Sequence, residues 1–276
     1  MKLPSQPRAV ITGGGSGLGR ALVLQLARQR ARLVVADINV PGAEETARLA
    51  NALGGDAVAR RCDVGALADV EALARFADDR LGGTDLLVNN AGVAVAGQVG
   101  ELPIADWEWI VRINLWGVIH GCHAFVPRLR AQGRGFILNV ASSAGFASLP
   151  QMAPYNATKA AVISLSETLH AELGPANVSV SCLCPTFFKT GLLDTFRGGE
   201  RQRALAERMF ARSTMTAEQV ARAGLRGLEK GTLLVIPQRD GTWMWRAKRL
   251  LPSAYAGALR MSEKRNLMGR LADKGN

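Results

Sequence analysis

The sequence predicts an α/β chain built on a doubly wound parallel sheet of about seven strands, with a short basic C-terminal extension. Three observations predict it. Short apolar runs alternate with helical patterns along most of the chain. The runs are continuously apolar, as expected of strands covered on both faces. A glycine-rich turn follows the first run directly and opens a helix, which is where such a sheet takes its ligand.

The elements follow in order. Arg8–Thr12 reads as a strand and Gly17–Arg30 as a helix. Arg32–Asp37 is a second strand, Gly42–Leu53 a helix, Val58–Arg61 a third strand and Ala66–Leu81 a helix. Asp85–Asn89 is a fourth strand, and one long helix is expected over Ile104–Ala131. Gly135–Ala141, the long helix Ala153–Leu173 and Val178–Leu183 come next. Leu192–Arg212 is a looser, Arg-rich helical region, Thr216–Lys230 a helix and Leu233–Pro237 a last strand. Parallel pairing through right-handed crossovers is the expected connection. Residues 1–240 then form one domain, and 241–276 form the extension.

Composition narrows the class. The chain has 276 residues, 48% apolar and 21% charged, which is a globular mixture. No apolar run reaches the roughly 18 residues of a membrane span. Met1–Arg8 lacks the apolar stretch of a secretory signal, so a cytoplasmic location is expected. The net charge is +11, but residues 239–276 carry nine Lys/Arg against three acidic residues. The rest of the chain lacks basic residues interleaved with aromatics, so no nucleic-acid partner is expected. Cys62, Cys122, Cys182 and Cys184 form no C-x-x-C pair and read as buried reduced thiols. His120, His123 and His170 have no companion ligands, so no metal site is expected.

The turn after the first strand is Thr12-Gly13-Gly14-Gly15-Ser16-Gly17-Leu18-Gly19. A helix N-terminus offers unpaired N–H groups and a positive dipole end, and glycines let the backbone approach a pyrophosphate. The spacing is G-x-x-x-G-x-G, and no G-K-[ST] follows, so a P-loop is excluded. Asp37 ends the second strand, where a carboxylate can accept hydrogen bonds from ribose hydroxyls and repel a 2′-phosphate. That favours NAD over NADP, and the nearest cation, Arg20, already lies inside the helix. Asp63 follows the third strand and suits either an adenine contact or a helix cap.

With these motifs go Asp63-Val64, Asn89-Asn90-Ala91-Gly92, Asn114, Ser142, Tyr155-x-x-x-Lys159 and Pro185. In that order, from about Arg8 to Pro237, the chain resembles the short-chain dehydrogenases/reductases, in their branch of roughly 250 residues. The resemblance implies a Rossmann-like fold, a homo-dimer or tetramer, and NAD(P)-dependent interconversion of a small-molecule alcohol and its carbonyl. It implies cofactor contacts at Gly13, Ser16, Gly17, Leu18, Gly19, Asp37, Ile38, Asp63, Val64, Asn90, Ala91, Gly92, Tyr155, Lys159, Pro185, Phe188 and Thr190. It also implies a catalytic set of Asn114, Ser142, Tyr155 and Lys159. Tyr155 and Lys159, four apart, share one helix face. A nearby ammonium and the oxidised nicotinamide would lower the phenol's pKa from near 10, so that Tyr155 exchanges a proton with the substrate oxygen. Ser142, thirteen residues before Tyr155, is implied to orient that oxygen in preference to Ser143. Asn114 is implied to hold a water in a proton relay, and Lys159 to hold the ribose.

The sequence departs from the family pattern after the sixth strand. Pro185-Thr186-Phe187-Phe188 stands where Pro-Gly is usual. Thr186–Arg212 corresponds to the family's lid and supplies Phe187, Phe188, Leu192, Leu193, Phe196, Met209 and Phe210. Val93, Val95, Phe146, Leu149 and Met152 are expected on the opposite wall. Such a lining suits a lipophilic alcohol or ketone. The extension, with Trp243-Met244-Trp245-Arg246, suits three roles: peripheral membrane contact, a subunit interface, or a cover on the substrate cleft. Asp273–Asn276 read as frayed. The rival readings are an NADPH-preferring carbonyl reductase and a non-catalytic nicotinamide-binding protein.

Overall fold

A computed structural model of the protein describes residues 1–188, 191–213 and 215–264. The strands are β1 (Arg8–Thr12), β2 (Arg32–Asp37), β3 (Asp56–Arg61), β4 (Leu86–Asn89), β5 (Gly135–Val140), β6 (Val178–Leu183) and β7 (Leu234–Val235). They form one sheet in the order β3-β2-β1-β4-β5-β6-β7, with every pair parallel. The helices are α1 (Gly17–Ala27), α2 (Val40–Ala52), α3 (Leu67–Leu81), α4 (Ile104–Val111), α5 (Gly117–Gln132), α6 (Ala144–Ala147), α7 (Ala153–Leu173), α8 (Glu200–Ala211), α9 (Ala217–Glu229), α10 (Arg239–Leu250) and α11 (Pro252–Lys264).

The continuous apolar strands have a direct cause. Successive side chains point to opposite faces of a sheet. Ala9, Ile11, Leu33, Val35, Leu86 and Val88 enter one core with α1 and α9. Their neighbours Val10, Val34, Ala36 and Leu87 enter a second core with α3 and α5. Ile137, Val180 and Cys182 complete the second layer beneath α7. Both faces are dry, so both must be apolar. The strand order reverses between β1 and β4, and their carboxyl ends leave a crevice there.

Four expectations need correction. The helix expected over Ile104–Ala131 is interrupted by a π-helical turn at Arg112–Trp116, which carries Asn114. β7 is two residues long and not Leu233–Pro237: Pro237 has no N–H to continue a ladder. The looser region at Leu192–Arg212 is a 3-10 turn, Gly191–Leu193, and then α8. The expected boundary at 240 falls inside the first turn of α10, which begins at Arg239. Met244 and Trp245 of α10 pack against the same core cluster as α7. The residues read as frayed, Asp273–Asn276, lie outside the described residues. All four cysteines are buried with free thiols. Among the described residues, no helix is long and apolar enough to cross a membrane.

Candidate active site

One cavity of about 540 Å³ runs across the carboxyl ends of the strands, a size typical of small-molecule sites. Every residue expected to contact the cofactor or to take part in catalysis, among those described, borders it, with the single exception of Asn114. Thr190 lies outside the described residues.

The glycine turn is held from three sides. The Gly14 N–H donates to the Ala36 carbonyl at 3.1 Å, and the Gly15 N–H donates to Asp37 Oδ2 at 2.8 Å. Asn90 donates through Nδ2 to the Thr12 and Gly13 carbonyls, at 2.9 and 3.0 Å. Gly13 sits at φ +63, where a side chain would collide with Ala91. A side chain at Gly19 would run into the Gly13 carbonyl. The close approach of turn, helix and β4 loop therefore excludes side chains there and leaves the first N–H groups of α1 facing the cavity. Ser16 caps α1 in extended conformation, without a side-chain capping bond.

At the β2 end, Asp37 Oδ1 accepts from the Asn39 N–H at 2.9 Å, which orients the carboxylate. Arg20 is turned under the loop, donating to the Gly15 carbonyl at 2.6 Å and to Thr46 Oγ1 at 2.9 Å. Arg112 and Lys159 are the cations among the cavity's described lining residues. Arg112 is engaged with Asp63 at 2.8 Å. Asp63 therefore does not cap α3. Its Oδ1 accepts from the Gly65 N–H, and its Oδ2 accepts from Arg112. Burial pushes its carboxyl up, but Arg112 and Gly65 outweigh that and hold it below its usual range. The sequence carried no signal for Arg112, because the π turn that aims it has none.

These residues fit a dinucleotide. A side-chain-free cradle meets a helix N-terminus, a carboxylate stands at the end of β2, and the two cations of the described lining, Arg112 and Lys159, are engaged with Asp63 and the Val140 carbonyl.

At the other end stand Ser142, Tyr155 and Lys159. Tyr155 and Lys159 lie one turn apart on α7, both buried. Lys159 Nζ donates to the Val140 carbonyl at 2.9 Å and lies 5.6 Å from the centre of the Tyr155 ring. Burial drives Lys159 down to about 8, against the opposing pull of Cys182 and Cys184. Burial likewise raises Tyr155 to about 12, and Ser142 acts in the opposite direction. The expected lowering of the phenol by Lys159 is thus not in place in the protein alone: the ammonium is turned to a carbonyl, and desolvation dominates. Ser142 Oγ donates to the Pro185 carbonyl at 3.3 Å and accepts from the Ala144 N–H at 3.2 Å.

Asn114 is fully buried. Its Oδ1 accepts from the Val93 N–H at 2.8 Å, and its Nδ2 donates to the Val93 carbonyl at 2.9 Å. The side-chain amide of Asn114 pins the loop after β4. Val95 and Phe146 do not line the cavity. Val95 bridges to Arg197 of the lid, and Phe146 belongs to the core beneath α7. Trp109, Leu205 and Ala206 were missed and take their places in the wall.

Gln151 was also missed. It lies at φ +61, a conformation uncommon for a side-chain-bearing residue. Its carbonyl accepts from the Gly97 N–H at 2.7 Å. Its side chain accepts from Gln202 of α8 and donates to Glu263 of α11, both at 3.2 Å. α8, α11 and the loop after β4 meet at this residue. The extension grips the wall at two further points: Tyr255 Oη donates to the Ala147 carbonyl at 2.8 Å, and Lys248 Nζ to Ser148 Oγ at 3.0 Å. It also explains Thr186. The Thr186 hydroxyl donates to Asp240 at 3.3 Å, and its N–H donates to Gln238 Oε1 at 3.1 Å.

Residues 7–201 match the sequence model of the short chain dehydrogenase family. The chain belongs to this family of oxidoreductases. It is 36% identical over 255 residues to SadH of Mycobacterium tuberculosis, covering 90% of this chain and 91% of that one. It is 34% identical over 195 residues to the cyclohexanol dehydrogenase of an Acinetobacter species, covering 70% and 77%. The D-threitol dehydrogenase of Mycolicibacterium smegmatis is 39% identical over 200 residues, covering 71% and 76%. Among solved structures, a short-chain dehydrogenase/reductase from Burkholderia phymatum in complex with NAD superposes with a TM-score of 0.85 at 32% identity, covering 88% and 93%. A nicotinamide cofactor therefore goes with this fold and this crevice.

Proposed function

We propose that the protein is an NAD-dependent dehydrogenase that interconverts a lipophilic alcohol and its carbonyl. The carrying observation is the convergence of Ser142, Tyr155 and Lys159 at the apolar end of the cavity whose other end presents Asp37. Asp37 at the end of β2 supports NAD over NADP, since a carboxylate there repels a 2′-phosphate and both cations of the described lining are engaged elsewhere, Arg112 with Asp63 and Lys159 with the Val140 carbonyl. Relatives named for threitol and cyclohexanol both point to alcohols. Phe187, Leu192, Phe196, Met209 and Phe210 facing Leu149 and Met152 support the more lipophilic of the two. Family membership supports a homo-dimer or tetramer as the working form.

The bound nicotinamide supplies the hydride acceptor. Ser142 Oγ holds the substrate oxygen beside Tyr155 Oη. Tyr155 takes the hydroxyl proton as the carbonyl forms, and returns it in the reverse direction. Its raised pKa in the protein alone makes it an acid at rest; to act as the base it would first lose its own proton to solvent, which the positive charge of an oxidised nicotinamide and of Lys159 would favour. Asn114 serves as a positioning residue, through Val93.

The test is oxidation of cyclohexanol and larger secondary alcohols with NAD and with NADP, read by the appearance of reduced cofactor. Turnover with NAD is expected to exceed that with NADP. Tyr155→Phe is expected to lower turnover by at least about a hundredfold while leaving NADH binding intact. Undiminished turnover in that variant would overturn the assignment. Preference for NADP with a carbonyl substrate would establish the reductase reading.

A further inference from the structure

The outward face of α10 and α11 is not explained by the cavity. Trp243, Leu250, Leu251 and Met261 are 66%, 75%, 64% and 51% exposed. Arg239, Trp243, Arg246 and Leu250 recur at helical spacing and form one stripe along α10. The opposite side of the same helix is already satisfied: Met244 and Trp245 join the core, and Lys248 bonds Ser148. The exposed apolar groups are therefore a second surface, not a misplaced core.

The charge around that surface has one sign. Residues 239–264 carry six Lys/Arg and two acidic residues. Both acids are tied to the body of the protein, Asp240 to Thr186 and Glu263 to Gln151. On the same two helices Arg239, Arg246, Arg260 and Lys264 are exposed together with the exposed Trp, Leu and Met. A second copy of this chain is a poor match, because a two-fold contact through this face sets arginine against arginine. A surface of anionic headgroups over acyl chains matches both features, since interfacial helices combine Trp and Leu with Lys/Arg in this way.

We propose that the α10–α11 face docks the protein on an anionic lipid surface, with Trp243, Leu250, Leu251 and Met261 entering the headgroup boundary. The docking stands on this face alone. Its consequence rests on the proposed function: the same helices hold the 147–151 wall, so the lipophilic cavity would sit beside a lipid phase.

Flotation of the full chain with phosphatidylcholine vesicles, with and without phosphatidylglycerol, tests this. The protein is expected to float with the anionic vesicles only, and to be released as salt shortens the screening length. R239E/R246E and W243S/L250S are each expected to lower the bound fraction at least about tenfold. Both variants should keep wild-type NADH binding, which separates loss of docking from loss of fold. Three results would overturn the proposal: no flotation with anionic vesicles, equal flotation of wild type and both variants, or a dimer in solution that W243S/L250S dissociates.

Discussion

The two ends of the cavity are built by different means. The cofactor end is a backbone cradle, held by a backbone bond to Ala36 and by the side chains of Asp37 and Asn90. Gly14 and Gly15 are bound to Ala36 and Asp37, Asn90 to Thr12 and Gly13, and every partner lies at a strand end. The substrate end is made of side chains from separate segments. Arg197 of the lid stacks 3.8 Å over Trp109 and pairs with Asp106 at 2.8 Å. Gln151 ties α8 to α11, and Thr186 ties the lid's root to α10. A backbone cradle tolerates no added atom. A side-chain assembly tolerates change, and changes specificity as it does so. Substitutions at the two ends should therefore separate cofactor affinity from substrate affinity.

The largest separation is expected at Gly19→Ala. The new methyl meets the Gly13 carbonyl and the Asn90 amide, which hold each other in place. Overpacking of this kind costs about 3 kcal/mol, or roughly a hundredfold in NADH affinity. Fluorescence titration checks it. Unchanged NADH affinity would show that the cradle yields, and the comparison would lose its basis.

Lys159 lies where the two ends meet, and it is expected to cost stability. Its pKa falls from 10.5 to about 8 on folding, by burial. Between those values the unfolded chain holds a proton that the native protein has released, so stability rises with pH across the window and is lowest below pH 8. Tyr155, raised from 10 to about 12, reverses the trend above pH 10. The penalty on the buried ammonium at neutral pH is roughly 3 kcal/mol, and the lost bond to Val140 returns about 1 of it. Lys159→Met should therefore be about 2 kcal/mol more stable than wild type near pH 7 while losing turnover. Urea unfolding of both proteins at pH 7 and 9.5 measures this. Equal stability at both pH values would place the ammonium in water.

The same contrast explains what the sequence made legible. β1, β2, β4, β5 and β6 were readable because strands with two dry faces must be apolar throughout. Gly13 and Asp37 were readable from the glycine turn after β1 and the end of β2, whereas Asn90 and Tyr155 were readable only through the family motifs to which they belong. The substrate end has no such local grammar. Gln151 and Glu263 lie 112 residues apart, and Arg197 and Asp106 lie 91 apart. Nothing in the sequence around any of them marks the partner. The π turn that aims Arg112 and buries Asn114 also leaves no periodic trace, so the helix read as unbroken. The extension was readable as basic and aromatic, but which face turned inward depended on a core it had yet to meet.

A smaller effect, confined to the substrate end, is expected at Arg197→Ala. Its ion pair is partly exposed, and its stacking on Trp109 adds a similar amount, about 1–2 kcal/mol together. The lid should open more often, raising KM for a lipophilic alcohol roughly five- to tenfold with little change in NADH affinity. Backbone bonds from Ala96 to Arg197 and from Arg197 to Ala94 remain, so the lid should stay folded. A loss of NADH affinity equal to the rise in KM would mean that the lid serves both ends.

The smallest effect is expected at Thr186→Gly, which restores the residue usual in the family. Thr186 is buried, its hydroxyl bonded to Asp240 and its N–H to Gln238. The variant loses one side-chain bond and gains backbone freedom in the unfolded chain, together about 1–2 kcal/mol of stability. Asp240 is released while Gln238 keeps its partner, so α10 should loosen at its first turn without leaving the domain. Thermal unfolding should fall by a few degrees. Substrate KM should rise about two- to threefold, because the 147–151 wall is held through the same two helices. Hydrogen exchange in α10 distinguishes the causes. Faster exchange at its N-terminus with intact exchange in α1 would show that Thr186 acts as the anchor of the extension. Faster exchange in α1 would show that the residue supports the cofactor end, and that the family's glycine was replaced for a reason other than α10.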